Sequence, residues 1–342
     1  MPWTKPITVE SDHSDSRRQL SFKHALLEAS ESLLTGDERV FFIGEGIDDA
    51  SGVFGSTLGL ADKFGKDRIL DSPLSENGIM GVTIGSALTG MRPIFVHMRC
   101  DFLLIALDQI LNHAAKWTYM SNGAVSLPLT IRAVIGRGWG SAAQHAQAVQ
   151  ALLAHLPGIK VVMPSTAYDA KGLLLAAVHD PNPVVLLEHR WLFERQSYVP
   201  ETDYLSPIGK AKVCRSGNDL TIIGTSLMVH EAMHAAQELS KDGIESEVID
   251  LVTVNPMDTE TILDSVRKTG RVLIADTGHL FCGISAEISA MITENCFNYL
   301  FAPPVRIGWP DVPVPASPVL ESYFYPKVED IIEASKRLIK GS

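Results

Sequence analysis

The feature that most constrains this chain is an alternation that runs twice. Short continuous apolar runs at 40–44, 93–98, 128–135, 159–163 and 183–187 are separated by stretches of helical spacing at 22–34, 102–120 and 167–179. Strands apolar on both faces, interleaved with helices, specify a parallel sheet covered on both sides. A polar segment at 194–207 with Pro200 and Pro207 interrupts the pattern, which then restarts. Strands at 220–224, 245–251 and 272–276 alternate with helices at 229–239, 259–268 and 285–295, and a last helix covers 328–339. The proline-rich 308–318 is extended. The reading is a loose arm over 1–20, an α/β domain over 21–195, a linker over 196–208 and a smaller α/β domain over 209–342. A chain of 342 residues accommodates two such units.

Net charge of −11 and the lack of a basic cluster argue against nucleic acid as the main partner. The polar start lacks the apolar core of a signal peptide, and no uninterrupted apolar run reaches spanning length, so no membrane partner is expected. Cys100, Cys214, Cys282 and Cys296 are scattered. This implies a reducing, cytoplasmic setting without structural zinc.

Ligands on sheets of this kind sit at the carboxyl ends of strands. Glu45, Met98 and the loop Gly136-Arg-Gly-Trp-Gly-Ser-Ala-Ala-Gln-His145 all fall at or just beyond strand ends, as does Asp71-Ser-Pro-Leu-Ser-Glu76-Asn-Gly-Ile-Met-Gly-Val-Thr-Ile-Gly85. In the last stretch Ser75 can cap a helix whose first turn carries Glu76. Gly78, Gly81 and Gly85 share one face, each costing about 1 kcal/mol against Ala, so another backbone or a ligand must come close. Glu76 is then either a site carboxylate or a first-turn acid that complements the helix dipole. His145 is either an acid–base group or a structural imidazole.

His230-Glu-Ala-Met-His234 matches the H-E-x-x-H zinc pattern, but no third ligand follows at a natural distance and the helix reads as ordinarily amphipathic. Gly136-x-Gly138-x-Gly140 departs from the dinucleotide fingerprint, and there is neither a phosphate loop nor a G-x-S-x-G elbow.

Several longer runs carry a resemblance. They are Gly55-Ser-Thr-Leu-Gly-Leu-Ala-Asp-Lys-Phe-Gly-Lys-Asp-Arg68, the Glu76 stretch, Gln144-His-Ala-Gln147, Pro157-Gly-Ile-Lys-Val-Val-Met-Pro164, Asp169-Ala-Lys-Gly-Leu-Leu174, Asp180-Pro-Asn-Pro-Val-Val185 and Pro310-Asp-Val-Pro-Val-Pro315. Over about 21–338 the chain resembles the beta subunit of the thiamine diphosphate-dependent decarboxylase component of 2-oxo acid dehydrogenase complexes, a family spanning pyruvate, branched-chain 2-oxo acid and acetoin dehydrogenases. The resemblance implies a pyrimidine-binding domain and a transketolase-type C-terminal domain in an alpha2–beta2 heterotetramer, with thiamine diphosphate between subunits and a lipoyl acyltransferase core as acceptor of the acyl group. By the same resemblance Glu76 hydrogen-bonds the aminopyrimidine. A carboxylic acid there favours the imino tautomer, whose nitrogen removes the thiazolium proton, and partial burial suits the role. Met98 and Phe102 pack the pyrimidine, Leu74 makes an apolar contact with it, and Glu45 lies between paired sites. His145 assists reductive acylation of the lipoyl group. Leu129, Ala177, Val178, Asp180 and Asn182 match a structural potassium site of oxygen donors.

Two positions depart from the family pattern. Ala146 stands where Ser usually follows the active-site His, and Asp276-Thr-Gly-His-Leu-Phe-Cys-Gly283 replaces a more acidic run. The Gly-Asp-Gly run through which thiamine enzymes hold magnesium and the diphosphate is missing from the sequence, so those are assigned to an alpha subunit. The rival readings are an acetoin dehydrogenase or split, transketolase-like carboligase subunit, and a non-catalytic structural or regulatory subunit.

Overall fold

The computed structural model describes residues 18–136 and 140–340. Its first sheet has seven strands in the order Thr253–Asn255, Lys160–Val162, Val184–His189, Thr130–Ile135, Arg92–His97, Val40–Gly44 and Ile69–Asp71. The five pairings from Lys160–Val162 to Ile69–Asp71 are parallel. The second sheet has five strands, in the order Val305–Trp309, Val272–His279, Leu220–Gly224, Ser246–Asp250 and Lys212–Arg215.

The sheets are mixed rather than wholly parallel. Lys212–Arg215 pairs antiparallel at the edge of the second sheet, and Thr253–Asn255 leaves the C-terminal unit to pair antiparallel with Lys160–Val162 of the first. Neither segment is a continuous apolar run. Each is placed by a neighbouring edge rather than by its own pattern, as tertiary context overrides β-propensity. The segment read as a linker is also built in. Gln196–Tyr198 pairs antiparallel with Gln19–Ser21, at the end of the segment read as an arm. Buried Lys171 donates to Glu28 at 2.7 Å and to the carbonyls of Pro200, Glu201 and Thr202 at 3.1–3.3 Å.

The helix Phe22–Gly36 begins as expected, with the Ser21 hydroxyl accepting from the His24 amide. It packs its Phe22, Ala25, Leu26, Ala29 and Leu33 stripe on the helix Ala167–His179. The expected long helix over 102–120 is instead segmented into Cys100–Leu103, a 3₁₀ turn at Leu104–Ala106, a π-helical stretch at Gln109–Ala114 and Trp117–Met120. Steps of four from Ala106 to Ile110 to Ala114 drift across a 3.6-residue helix, and the wider π turn keeps all three buried.

In the core of the first sheet Arg132 and Glu188 form a bidentate pair on neighbouring strands. Nε–Oε1 is 2.5 Å and Nη2–Oε2 3.0 Å, with Ser56 Oγ accepting a further bond at 2.9 Å. Among the described residues no helix is long and apolar enough to cross a membrane. The four cysteines are free thiols.

Candidate active site

The carboxyl ends of Val40–Gly44, Ile69–Asp71 and Arg92–His97 lie side by side, because Gly44 pairs with both Asp71 and Val96. Glycine is required at position 44, where a Cβ would stand 2.3 Å from the Val96 carbonyl oxygen. The chain then turns at Gly46 with φ +64°, whose amide donates to Asp71 Oδ1 at 2.7 Å. A Cβ on Gly46 would meet Met98 Cε at 2.9 Å, which puts Met98 beside the Glu45 turn.

Glu76 opens the helix Glu76–Leu88 and is 7% exposed. Ser75 takes the N-cap position but its side chain makes no capping bond, at φ −155°, ψ 52°, so the capping expected of Ser75 is not made. The Glu76 carboxylate faces Glu45, a residue 31 positions earlier. Glu45 is held above its ordinary carboxylate value. Burial is the largest cause, followed by the charge of Glu76, a hydrogen bond shared with Glu76, and the charge of Asp71. Burial and the two neighbouring acids all favour the protonated form of Glu45.

Phe102, on Cys100–Leu103, meets the His145 ring edge-on at 5.5 Å between centroids. Leu74, two residues before Glu76, is 83% exposed. The glycine face of the Glu76 helix is open within this chain: among the described residues a methyl on Gly78 or Gly85 meets nothing within 4 Å, and one on Gly81 only Gln109 Oε1 at 3.4 Å. Whatever requires these glycines is therefore not supplied by the described residues.

Residues 137–139 of the glycine-rich loop lie outside the described residues. His145 itself is exposed, and its segment is held by groups that sequence reasoning missed. Gln147 Nε2 donates to Asp101 Oδ1 at 2.8 Å, and the Gln147 carbonyl accepts from the Gly136 amide at 3.1 Å and the Cys100 thiol at 3.2 Å. Arg99 donates to the Gly136 carbonyl at 3.3 Å. Burial raises the Asp101 carboxyl, opposed first by the Gln147 bond and also by the His145 charge. The signal that could have found Asp101 was its position beside Phe102.

The five residues matched to a potassium site lie close together on Ala167–His179, the turn after it and the run before Thr130–Ile135. The Leu129 carbonyl accepts from the Val184 amide at 3.0 Å, the Ala177 carbonyl from the Asp180 amide at 3.3 Å, and the Val178 carbonyl from the Arg92 guanidinium. Asp180 pairs with Lys160 and accepts from the Asn182 amide at 2.9 Å. The donor set is all oxygen, as a hard cation takes, and each carbonyl bonded once keeps a second lone pair.

The H-E-x-x-H residues are otherwise engaged. His230 Nε2 donates to the Ser165 carbonyl at 2.8 Å, and burial depresses its imidazole to about 3. Glu231 is buried, and its charge acts on Arg195. Among the described residues no three His, Cys, Asp or Glu side chains are grouped to hold a metal. A cleft of about 890 Å³ is lined by His155, Asn255, Cys282, Glu287 and Met291 among others, and includes none of Glu45, Leu74, Glu76, Met98, Phe102 and His145.

Residues 18–195 match the transketolase pyrimidine binding domain and residues 209–331 the transketolase C-terminal domain. The chain is 43% identical to the acetoin:2,6-dichlorophenolindophenol oxidoreductase beta subunit of Cupriavidus necator, over 95% of this chain and 98% of that one. It is 44% identical to the 2-oxoisovalerate dehydrogenase beta subunit of Bacillus subtilis, over 93% and 98%. It is 42% identical to a mitochondrial pyruvate dehydrogenase E1 component beta subunit of Oryza sativa subsp. japonica, over 95% and 88%. A solved structure described as a split-gene transketolase, an inactive beta4 tetramer, superposes with TM-score 0.76 at 22% identity, covering 94% of this chain and 98% of that one, a likeness of fold. Two transketolase-type domains in this order, with such identity along nearly the whole chain, place the protein in the family of beta subunits of the thiamine diphosphate-dependent 2-oxo acid dehydrogenases.

Proposed function

We propose that this chain supplies the pyrimidine half of a thiamine diphosphate site and, with an alpha subunit in an alpha2–beta2 assembly, decarboxylates a small 2-oxo acid and passes the acyl group to a lipoyl domain. The observation that carries this reading is the Glu45–Glu76 pair, two facing acids just beyond strand ends, with Met98 beside the Glu45 turn and Leu74 uncovered two residues before Glu76. A heterocycle with a basic nitrogen and apolar faces fits that lining. When bound, thiamine diphosphate supplies the carbon nucleophile and the electron sink for decarboxylation. The alpha subunit holds its diphosphate and magnesium.

Each residue then has a defined task. Glu76 hydrogen-bonds the ring nitrogen and moves a proton at that atom, and its burial strengthens the bond. Glu45, whose proton is held more tightly than in an ordinary carboxyl, lies on the route between paired sites. Met98, Phe102 and Leu74 exclude water and orient the ring. His145 donates a proton to the sulfur released when the lipoyl S–S bond breaks and the other sulfur bonds the acyl carbon. The substrate is thereby oxidised to the acyl level and the disulfide reduced. The oxygen cluster at Leu129, Ala177, Val178, Asp180 and Asn182 takes potassium and stiffens the subunit. Pyruvate is the first substrate to test and acetoin the second, since relatives named for each align over 95% of the chain. A carboligating subunit is the reading to which Ala146 lends weight.

The test is Glu76→Gln in the complex with its alpha subunit. Turnover should fall about 10²–10⁴-fold, the usual reach of a positioned acid–base group, while assembly is retained. Undiminished turnover would remove Glu76 from the chemistry and favour the non-catalytic reading. Acyl transfer to lipoamide, as against carbon–carbon ligation, separates the dehydrogenase from the carboligase.

A further inference from the structure

Ala146, immediately after His145, is 1% exposed. Its methyl is enclosed in a cluster drawn almost entirely from the far end of the chain: Trp309, Val314, Phe324 and Tyr325, with Ala148 packed alongside. Trp309 ends the edge strand of the second sheet and Phe324 ends the helix Pro318–Phe324. The three rings pack on one another, with centroids 5.5 Å apart for Trp309 and Phe324, 5.4 Å for Trp309 and Tyr325, and 4.9 Å for Phe324 and Tyr325. His279, bonded through Nδ1 to the Pro310 carbonyl at 2.8 Å, sets its ring edge against Trp309 at 5.5 Å. The C-terminal unit thus presents a wall of aromatic rings, packed through edge-to-face and tilted contacts, to the residue next to the exposed imidazole.

On its opposite side the same segment is tied to the first sheet by the Gln147 bonds to Asp101, Cys100 and Gly136. The segment also holds Ala142 at φ +56°, a left-handed conformation that costs a non-glycine residue energy and persists only where the surroundings over-determine it. Polar ties on one side and an aromatic wall on the other leave His145 with little freedom beyond its own side-chain torsions.

We infer that Trp309, Phe324 and Tyr325 are positioning residues for His145, acting through Ala146. The C-terminal unit thereby sets the acid that serves acyl transfer, and the small residue at 146 is matched to the wall that grips it. This rests on the role proposed for His145 above. It makes the two steps of the reaction separable. The acid pair that serves decarboxylation lies on the strand ends of the first sheet, whereas the acid that serves the lipoyl sulfur depends on the other unit.

The experiment uses the complex with its alpha subunit and two assays. One is decarboxylation with 2,6-dichlorophenolindophenol as electron acceptor, and the other is acylation of a free lipoyl domain. Hydrogen exchange of the peptide 140–149 is followed in parallel. Phe324→Ala should lower the kcat of lipoyl acylation about 10- to 100-fold, the loss that follows a misplacement of the order of 1 Å. It should leave the dye-coupled rate within about twofold and speed exchange of the peptide, with Phe324→Leu recovering most of the loss. Ala146→Gly, which removes the gripped methyl and spares the wall, should show the same split at smaller size, and decides the matter if Phe324→Ala does not assemble. Equal losses in both assays, or unchanged acylation with unchanged exchange, overturn the inference. His145→Ala is the control for the underlying reading. If it acylates normally, the role of His145 falls and the inference with it. If it is impaired while Phe324→Ala and Ala146→Gly are not, the inference alone falls.

Discussion

Two pairs of charged side chains belong to the same α/β unit, and the contrast between them separates what this chain completes from what it leaves open. Arg132 and Glu188 are buried side by side on adjacent strands, with opposite charges, bidentate geometry and a hydroxyl besides. Glu45 and Glu76 lie at the sheet's carboxyl edge with like charges, and Asp71 adds a third acid. The first pair neutralises its charges within the chain, so that removing either partner strands the other. The second is a standing electrostatic cost that folding alone does not explain, since a structural pair would be neutralised as the first is. Two facing acids, with an 83% exposed leucine and an open glycine face on the same stretch, fit the proposed site whose other half comes from elsewhere.

The sharpest way to break this comparison is to remove one acid from each pair. Glu76→Gln should cost turnover by the orders of magnitude given above and leave the thermal midpoint of the isolated chain unchanged or raised, since it removes a like-charge contact. Glu188→Ala should do the reverse. It strands Arg132 in the core and should destabilise the fold by about 3–5 kcal/mol, read from denaturant midpoints. If both variants lose stability alike, the distinction between a structural and a functional pair fails.

A smaller effect is expected at Leu74. If a partner covers it, Leu74→Ser should weaken association with the alpha subunit by about 1.5–3 kcal/mol, the worth of a fully buried leucine, with no change in the melting of the isolated chain. An unchanged dissociation constant would mean that the alpha subunit does not cover this side chain.

The smallest expected effect is a pH dependence. Glu45 binds its proton more tightly in the folded chain than in the unfolded one. Its contribution to stability is therefore fully present below the ordinary carboxylate value and is lost as the pH rises through the raised folded value. Glu45→Gln should flatten that part of the stability-against-pH curve, with melting temperature as the readout. A slope that persists unchanged in the variant would assign it to another group.

Much of the site was legible because its parts sit at predictable places. Glu45 and Met98 follow apolar runs directly, and Glu76 opens a stretch whose glycines are too many for an ordinary helix. The helix at Ala167–His179 was bounded by its own pattern, with Thr166 accepting from Asp169 at its start and Pro181 just beyond its end. Other parts left no local trace. Thr253–Asn255 has no periodicity of its own and joins the first sheet only because the antiparallel edge beside Lys160–Val162 is there to receive it. The segment 104–114 reads as one amphipathic helix, and only the demand of the core for Ala106, Ile110 and Ala114 together widens its turns. The strand Val305–Trp309 and the helix Pro318–Phe324 were read as extended tail or passed over, because prolines at 303, 304, 310, 313, 315 and 318 mask both ends.

The sequence by itself determined the two alternating α/β units, the acid at the head of a glycine-rich helix, and the family to which these runs belong. These are properties of residue type and short spacing, and hydrophobic periodicity reports element type and buried face within a local window. Only the tertiary structure decided that Glu45 faces Glu76, that Gln147 is tied to Asp101, and that an aromatic wall from 309–325 closes on Ala146. Which strand ends become neighbours is set by crossover connections and by the packing of whole layers, and no local window of sequence encodes the distance between residues brought together that way.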